Sequence, residues 1–454
     1  MTYTQLLRGN ADWRRLWTGQ VISEAGDWLN NIAVLALAIE LADPRRQGLA
    51  IAIYAIARHL PLFLFGPLAG VVVDRADRRR VMIAADVVRA ALALGFLLAD
   101  RWASLPVIYA AGAALFSVSA FFNAAKRASI PHITRSADEL LSANALSAST
   151  TAAMIAIGSA LGGIVASFAG RDTVFVLNAA TFLVSADCIR RIRALRRSDS
   201  ATGRRRNAAT RSDERIFRRQ ACARRRVMDD FRAGLRYVRE SEVLRAIFIV
   251  AAGWGLGNGV ARALYSVFGA RLGLTAAPAL VDRPADFGIS VLFVAMGLGG
   301  VLGAWVARRF NATAGARLGT RMGRSLFLDG CGLFVFSLMP ALWAAALVLI
   351  AREINFAIWW TAQQTIIMTR ADDRYRGRVF ASYETATTLM MLSSMLVSGA
   401  AADWLGIRVV AAFGGLVIAL SGWLWFILRP RGEMIAPQRR GDTDGTIESL
   451  PTWR

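Results

Sequence analysis

Twelve apolar blocks of about 20 residues each, separated by short polar hairpins, constrain what this chain of 454 residues can fold into more than any other feature. An α-helix rises ~1.5 Å per residue, so about 20 residues cross a hydrocarbon layer ~30 Å thick. Backbone polar groups in lipid are satisfied only in helices or closed barrels, and the blocks lack the alternation of barrel strands. The sequence therefore predicts an all-α integral membrane protein with twelve transmembrane helices. The predicted spans are 18–41, 48–73, 80–99, 104–126, 141–169, 172–192, 243–270, 286–308, 321–339, 341–368, 379–403 and 407–428.

Arginine residues are concentrated in every second hairpin. Clusters at 75–80, 308–324 and 370–378 lie on one side of the predicted spans, whereas the hairpins at 43–46 and 100–101 carry few. A net charge of +22 would favour nucleic-acid binding in a soluble protein, but this alternation is the positive-inside bias of a membrane protein. We therefore predict a multi-pass membrane protein with both termini in the cytoplasm and no nucleic-acid partner.

The segment 190–239 contains 18 arginines against five acidic residues. Positive charge at this density beside a membrane favours anchoring and contact with anionic lipid headgroups. A dedicated partner site and a plain solvated linker are the alternatives. Residues 226–240 are expected to form an amphipathic surface helix, and residues 430–454 a disordered cytoplasmic tail. The single lysine, Lys126, is interpreted as compositional bias.

The two halves of the chain retain traces of a duplication. Residues 134–138, TRSAD, recur as TRAD at 369–372, and Gly170 before the sixth block recurs as Gly406 before the twelfth, at nearly the same offset. Parallel repeats of six spans describe a transporter architecture with the substrate site between the halves. We therefore predict a monomer with two pseudo-twofold-related bundles. The predicted domains are an N-terminal six-helix bundle (1–192), a basic cytoplasmic linker (193–240), a C-terminal six-helix bundle (241–429) and the tail (430–454).

The hairpin between the second and third blocks carries a recognisable motif. Residues 70–80 read GVVVDRADRRR, which resembles the signature hairpin of the major facilitator superfamily, GxxxD(R/K)xGR(R/K), with Asp77 in place of the second glycine. The chain also resembles the bacterial branch that includes enterobactin exporters and macrolide efflux pumps. That similarity lies in SEAGDW at 23–28, ANAL at 143–146, NAATF at 178–182 and RGRV at 376–379. The resemblance implies two six-helix bundles that transport a small molecule by alternating access, in a bacterial plasma (inner) membrane.

The resemblance also implies roles for the residues of this hairpin. Asp74 is expected to meet the positive N-terminal end of the eleventh helix, near Arg378, and Gly70 to let two helices approach closely. The hairpin arginines are expected to form salt bridges that break as the cytoplasmic side opens; the alternative is that they only fix the topology. The predicted gating residues are Gly70, Asp74, Arg75, Arg78, Arg79 and Arg378.

Two acidic residues, Glu24 and Asp27, lie on one polar face of the first span. A charged group near the bilayer centre costs about 2.5–3.5 kcal/mol, so each needs a cavity or a partner. In the antiparallel second span, Arg58 and His59 fall at the depth of Asp27. We hypothesise that Asp27, with Glu24, carries a proton inward while Arg58 or His59 biases its pKa. The alternative is a static ion pair that locks the first two helices.

Polar and aromatic stripes predict a substrate cavity. Members of the family line their central cavity with the first, fourth, seventh and tenth helices, so these stripes are expected to face the substrate. Interhelical hydrogen bonds without a ligand are the alternative. Asp86 and Arg89 are expected to pair on their own helix, and Asp329 is expected near a cytoplasmic helix end. The predicted cavity residues are Gln20, Asn31, Trp254, Asn258, Arg262, Tyr265, Asn355, Trp359 and Gln363.

The leading functional prediction is secondary active transport, by proton-coupled efflux of an amphipathic small molecule such as a drug, macrolide or siderophore. Its expected partners are this substrate, protons and membrane lipids. A lysophospholipid flippase-type carrier and a non-transporting membrane sensor of the same fold are the alternatives. An enzyme is disfavoured because the sequence has two histidines, no cluster with metal-ligand spacing and no phosphate-binding loop. No cofactor is expected.

Overall fold

The computed structural model describes residues 2–195, 234–276, 282–312 and 317–429. Within these residues the chain forms helices joined by short turns. The helices are α1 (Tyr3–Gly9), α2 (Ala11–Leu41), α3 (Gln47–Arg75), α4 (Arg78–Arg101), α5 (Leu105–Ile133), α6 (Ala137–Arg190), α7 (Glu242–Ala276), α8 (Pro284–Ala312), α9 (Leu318–Leu338), α10 (Leu342–Arg370), α11 (Asp373–Leu405) and α12 (Ile407–Leu428).

Side-chain caps mark the starts of several helices. Asn10 accepts the backbone N–H of Trp13 at 3.0 Å before α2, and Asp77 accepts that of Arg80 at 3.0 Å before α4. A capping oxygen satisfies one of the free N–H groups in the first turn of a helix. Asp77 therefore serves as an N-cap at the position where the family motif has glycine, and its φ of −67° does not require glycine.

Gly170 and Gly406 break the helical path at corresponding places in the two halves. Gly170 has φ 80° and ψ 165° inside α6, and Gly406 has φ 86° and ψ 146° before α12. Positive φ is strained for residues with a Cβ atom, so glycine is the residue that adopts it readily. The two sharp turns occur at the positions that the sequence repeat pairs, and the repeat is thus visible in the backbone.

Nine helices in the described part of the chain are long and apolar enough to cross a membrane: α3 to α8 and α10 to α12. Among them α6 is a single element of 54 residues that Gly170 divides into two segments. The 31-residue α2 and the 21-residue α9 are also long, but they carry buried polar groups such as Gln20 and Asp329. The all-α membrane fold class is confirmed, whereas the number of twelve crossings stays a prediction.

The helices pack in two groups. In the first, α6 packs against α2 and α4, and α5 against α3 and α4; in the second, α9 packs against α12, α8 against α10, and α7 against α11. The groups meet where α6 packs on α8 and where α3 packs on α11. This arrangement agrees with two bundles, and their bounds at 192 and 241 stay a prediction.

The two ends of the bundle are distinguished by where the chain enters and leaves it. The end that carries the start of α2 and the end of α12 is termed the terminal face, and the opposite end the distal face. Asp12 at the start of α2 accepts the backbone N–H groups of Arg193 and Ala194, just after α6, at 3.0 and 2.8 Å. Gly48 at the start of α3 contacts Gly399 near the end of α11, so both groups present their distal ends on the same side.

Three predictions lie partly or wholly outside the described residues. The expected surface helix over 226–240 is helical over 234–240, and its earlier residues are not described. Most of the basic linker (193–240) and the whole of the tail (430–454) are also outside the described residues.

Candidate functional site

A cavity of about 590 Å³ lies inside the first helix group and is termed the large cavity. It extends to the terminal face, where Arg127 near the end of α5 and Asn144 near the start of α6 line it. Deeper in the bundle, Gln20, Glu24 and Asp27 of α2 line it as well. The polar face predicted on the first span therefore borders an internal space, where charged groups avoid the cost of facing lipid.

Glu24 and Asp27 have different surroundings in the large cavity. Lys126 Nζ on α5 donates to Glu24 Oε1 at 3.3 Å, and both side chains are largely buried. In the described residues, Asp27 makes no ion pair within 4.0 Å and accepts no hydrogen bond. The positive charges that act on Asp27 are those of Arg89 and Arg58. Asp27 is thus a carboxyl group that is open to the cavity and has two cations in its vicinity.

Arg89 forms part of the cavity wall next to Asp27. It pairs with Asp86 one turn earlier on α4, as predicted, and both side chains are buried. Its guanidinium lies between the rings of Phe122 and Phe182, 4.2 Å from each centroid. Stacking on two aromatic faces and an acid partner hold this cation in place in an apolar setting.

A second space, of about 140 Å³, lies between the two helix groups and is termed the small chamber. Arg58 and Trp28 line both this chamber and the large cavity, so the two spaces adjoin. The Nη1 atom of Arg58 donates to Asn31 Oδ1. The alternative hypothesis is a static ion pair between Asp27 and Arg58. The described contacts do not contain this pair, because the Arg58 side chain is directed towards Asn31.

Three more predicted residues reach the small chamber. His59 lines it, and its Nδ1 atom lies 2.8 Å from the carbonyl oxygen of Ala55 on its own helix. Arg262 and Tyr265 of α7 line it from the second helix group. The structure thus brings residues of α2, α3 and α7 together around one space between the halves.

The second group has its own buried charge network around Arg352 on α10. Its Nε atom lies 3.1 Å from Asp329 Oδ1, and its guanidinium also donates to the Tyr265 hydroxyl and, at 3.5 Å, to Asn258 Oδ1. Asp329 lies in the middle of α9 and is 0% exposed. The prediction that Asp329 lies near a helix end is wrong, since the helix extends about equally to both sides of it.

The predicted aromatic stripes of α7 and α10 pack against each other. The ring centroids of Trp254 and Trp359 are 4.8 Å apart. Gln363 donates to the Tyr383 hydroxyl, and Asn355 donates to a carbonyl of its own helix at 3.0 Å. Five predicted cavity residues line neither the large cavity nor the small chamber: Trp254, Asn258, Asn355, Trp359 and Gln363. Their role towards a substrate stays a prediction.

At the distal face, Arg171 joins the two helix groups. Its Nε and Nη2 atoms contact the two carboxylate oxygens of Asp286, at the start of α8, at 3.1 and 2.8 Å, and its Nη1 donates to Glu40 on α2 at 2.6 Å. Arg171 is 4% exposed and Asp286 0%. A bidentate, buried arginine–carboxylate pair is among the strongest polar contacts. These three residues are termed the distal latch.

Asp403 at the end of α11 makes a second distal contact between the groups. Its carboxylate oxygens accept the backbone N–H groups of Gly48 and Leu49, at the start of α3, at 2.8 and 3.0 Å. An acid at this position caps the helix and interacts favourably with its dipole. A Cβ atom at Gly48 would lie 2.6 Å from the carbonyl oxygen of Gly399. The distal side of the molecule is therefore tightly closed.

At the terminal face, the signature hairpin lies apart from α11. Asp74 and Arg75 are exposed, and a Cβ atom at Gly70 would meet nothing within 4 Å. In the described contacts Asp74 does not meet the start of α11, and Gly70 makes no close helix approach. The predicted contact of Asp74 with α11 and the predicted close approach at Gly70 are therefore not present in this conformation, in which no described contact joins the end of α3 to the start of α11.

The remaining gating residues contact their own neighbourhoods. Arg78 donates to the carbonyl oxygen of Ala128 at 3.0 Å, and Arg79 donates to that of Arg190, so both tie the hairpin to its own helix group. Arg378 lies over the ring of Tyr375, 5.7 Å from its centroid. Their role in gating stays a prediction.

Several residues with a clear structural position are missed by sequence reasoning: Lys126, Arg171, Asp286 and Asp403. Lys126 is not mere compositional bias, since it forms an ion pair inside the bundle. A single lysine placed within an apolar block is the signal that points to it. The other three lie at predicted span ends, where charged residues are common, and their pairing depends on helices far apart in sequence.

Comparison with known proteins agrees with this architecture. Residues 16–393 match the family profile of the Major Facilitator Superfamily. The chain is 26% identical over 457 residues to the uncharacterized MFS-type transporter YfiS of Bacillus subtilis, which covers 96% of each chain. It is 26% identical over 420 residues to the putative bacilysin exporter BacE of Bacillus subtilis, covering 89% of this chain and 91% of that protein. Macrolide efflux protein A of Streptococcus pyogenes matches 94 residues at 33% identity, which is 20% of this chain and 22% of that protein.

Solved structures share the fold at low identity. A bacterial homologue of the iron transporter ferroportin, in an inward-facing state, has a TM-score of 0.67 and 11% identity, with 94% of this chain and 99% of that chain covered. The nucleoside transporter NupG has a TM-score of 0.66 and 10% identity, with 92% and 98% covered. Since the family profile spans most of the sequence and the helices form the same fold, this chain belongs to the Major Facilitator Superfamily.

Proposed function

We propose that this transporter exports an amphipathic small molecule from the cytoplasm by alternating access, coupled to proton entry. The observation that carries the proposal is the large cavity, which holds ionisable groups inside a membrane-spanning bundle, reaches the terminal face and lies behind a closed distal face. By the positive-inside rule the terminal face is cytoplasmic. The described conformation is then the one that loads substrate from the cytoplasm.

Two observations support an amphipathic substrate and its export. The large cavity combines the rings of Trp28 and Phe116 with the amides of Gln20 and Asn123, which suits a solute that has both apolar and polar parts. Two relatives are named a putative bacilysin exporter and a macrolide efflux protein.

Asp27 is the proposed proton carrier. It is an acid in the cavity without an ion-pair partner within 4.0 Å among the described residues, so its proton can exchange with cavity water. Glu24, by contrast, is paired with Lys126 and serves to position that cation. One proton that crosses ~100 mV yields ~2.3 kcal/mol, which supports a substrate gradient of about 50-fold.

The test uses inside-out membrane vesicles with an acidified interior and radiolabelled fusidate, an amphipathic carboxylate, as the probe. An acidic interior does not trap a weak acid, so accumulation requires transport; the wild type is expected to accumulate fusidate, and an uncoupler to abolish the accumulation. Asp27→Asn cannot carry a proton and is expected to accumulate less than about a tenth of the wild-type amount, since coupling supplies the gradient. Asp43→Asn, an identical change in an exposed hairpin, is the matched control and should behave as the wild type.

Two results would contradict the proposal. Full uncoupler-sensitive accumulation by Asp27→Asn would assign proton coupling to another group. A wild type that accumulates neither fusidate nor any compound of a panel of cationic, neutral and anionic amphiphiles would exclude export of this substrate class.

A lysophospholipid flippase-type carrier is the second candidate. An apolar groove of about 680 Å³ lies between α6, α8 and α10 and opens to the lipid side, where Phe168 is 79% and Leu347 69% exposed. A groove of this kind can hold an acyl chain while a headgroup passes between the halves. Proteoliposomes with fluorescent lysophosphatidylcholine test it: lipid translocation without fusidate accumulation would favour this candidate over drug export.

A further inference from the structure

The small chamber contains two arginines and no carboxylate. Arg58 of α3 and Arg262 of α7 line it, one from each helix group, and none of its lining residues is aspartate or glutamate. Its other polar groups are Tyr54, His59 and Tyr265, together with the Asn31 amide. The chamber is therefore positively charged although it lies deep between the two halves.

Neither arginine has an acid partner in the described residues. Arg58 donates to the Asn31 amide, and its guanidinium lies 4.9 Å from the ring centroids of Trp28 and Phe116. Arg262 makes no hydrogen bond or ion pair there, and Glu353 acts on it only from beyond 4.0 Å.

Arg58 is half-buried and Arg262 is exposed, whereas three other arginines in the described part of the chain are fully buried and paired. Arg89, Arg171 and Arg352 each contact an aspartate directly, and each is at most 4% exposed. Buried cations in proteins are normally paired, because desolvation of a lone charge is costly. The charge of Arg262 repels that of Arg58, while Asp27 attracts Arg58 from the large cavity. The guanidinium groups of Arg58 and Arg262 thus line the chamber without an acid in direct contact, and an anion placed there would be attracted by both.

We propose that the small chamber binds an oxyanion group of the transported molecule, a carboxylate or a phosphate or sulfate ester, between Arg58 and Arg262. The planar guanidinium fork matches such groups bidentately. The volume of about 140 Å³ holds an anionic head rather than a whole drug-sized molecule. Because Arg58 and Trp28 also line the large cavity, the apolar body of the molecule extends into that space.

This inference rests on the proposed transport function for the identity of the ligand, and it adds a property that the fold does not dictate. The anion would contact one arginine from each half at the same time. Its binding therefore removes the repulsion that otherwise opposes approach of the halves around the chamber.

The test measures binding in the purified full-length protein in a non-ionic detergent, without any transport. The probes are naphthalene-2-carboxylate, the neutral naphthalene-2-carboxamide and the cationic 2-naphthylmethylammonium, which share one ring system. Quenching of tryptophan fluorescence reports binding, and a smaller quench in Trp28→Phe assigns part of it to Trp28, one of 13 tryptophans. The wild type is expected to bind the carboxylate at least about tenfold more tightly than the amide, and the ammonium more weakly still, since charge-assisted hydrogen bonds form only with the anion.

Variants then test whether Arg58 and Arg262 cause the preference for carboxylate over amide. Arg262→Gln and Arg58→Gln are each expected to reduce the carboxylate-to-amide ratio to near one, and Arg262→Lys to retain only part of it, because lysine lacks the bidentate fork. Arg245→Gln, on the same helix as Arg262 but outside the chamber lining, should keep the wild-type ratio. Thermal unfolding without probe is the second measurement: because Arg262 has no ion-pair partner within 4.0 Å in the described residues, the unfolding temperature of Arg262→Gln should stay close to that of the wild type.

Three outcomes would overturn the inference: equal affinities of the wild type for carboxylate and amide, an unchanged ratio in Arg262→Gln, or a clearly lower unfolding temperature of that variant, which would mean that Arg262 has a stabilising partner. The binding and transport measurements distinguish failure of the anion site from failure of the proposed transport function. Carboxylate-selective binding without transport in vesicles contradicts the proposed function and leaves the anion site, whereas transport without carboxylate selectivity contradicts the anion site alone.

Discussion

At the scale of single residues, the buried charges of this transporter fall into paired and unpaired sets. Asp86–Arg89 in the first group and Asp329–Arg352 in the second are ion pairs sealed in the bundle cores. Asp27, in contrast, faces a cavity without a partner within 4.0 Å in the described residues. A paired charge stabilises one geometry, whereas an unpaired charge beside water can bind and release a proton.

The Glu24–Lys126 ion pair is paired like the first set but borders the large cavity like Asp27. We predict that it stabilises the packing of α2 against α5. Lys126→Met leaves the Glu24 carboxylate without its partner in a largely buried place, so it should lower the free energy of unfolding by about 1–3 kcal/mol. The double variant Glu24→Gln, Lys126→Met should recover most of this loss. Thermal unfolding in detergent measures both, with Lys126→Arg as the charge-conserving control. Equal losses in the single and double variants would contradict the coupling.

At the scale of helices, close approach of α6 and α8 depends on small residues. A Cβ atom at Gly297 of α8 would lie 2.3 Å from the backbone nitrogen of Ala156 on α6, and one at Gly163 of α6 would lie 2.3 Å from Ser290 Oγ on α8. Ser290 also donates to the Ser159 carbonyl oxygen at 2.6 Å. Small residues let helix backbones approach and gain packing contacts in a membrane. This contact holds the two halves together on the distal side of the cavity.

We predict opposite effects for two glycines of α8 that lie three residues apart. Gly297→Ala should lower the unfolding temperature and the transport rate, because the added methyl group meets backbone atoms that cannot move aside. Gly300→Ala should be neutral or stabilising by up to about 1 kcal/mol, since no atom lies within 4 Å of its Cβ position and alanine favours a helix. Thermal unfolding of the two variants side by side is the measurement, and equal behaviour would contradict the packing argument.

At the scale of the whole molecule, polar contacts join the two halves at the distal face. The distal latch and the Asp403 cap join the halves there, while at the terminal face Asp74 and Gly70 lie away from α11. A transporter that alternates must break the first set of contacts in order to form the second. The latch therefore contributes to the free-energy difference between the two conformations.

We predict that Asp286→Asn favours the distal-open conformation. The change leaves Arg171 buried without its bidentate partner only while the distal side is closed, which costs about 3 kcal/mol and shifts the equilibrium about 100-fold. Asp282→Asn, an exposed acid four residues earlier, is the matched control.

The measurement is labelling of Leu35→Cys in intact cells by a membrane-impermeant maleimide, after the native cysteines are replaced by serine. Leu35 lines the small chamber and is 7% exposed, so the reagent reaches it from outside only when the distal side opens. Faster labelling in the Asp286→Asn background, with no change in the Asp282→Asn background, is the expected result. Unchanged labelling in both backgrounds would show that the latch does not hold this side closed.

Local patterns were sufficient for much of the architecture. Hydropathy and length predict the spans, and the two glycines that the sequence repeat pairs, Gly170 and Gly406, both have positive φ in the structure. The polar face of α2 was also predicted, and Gln20, Glu24 and Asp27 do border a cavity. The partners of these residues were not, since Lys126 lies 102 positions after Glu24.

The sequence by itself determined the membrane fold, the internal repeat, the family and the presence of ionisable groups within the spans, because each depends on spacing along one helix or on composition. Only the tertiary structure decided which charges are paired, that Arg58 turns to Asn31 rather than Asp27, and that Arg171 meets Asp286 across the distal face. The physical reason is that a buried charge is stabilised by atoms within a few ångströms of it, and which helices supply those atoms depends on how the bundles pack and which face is closed.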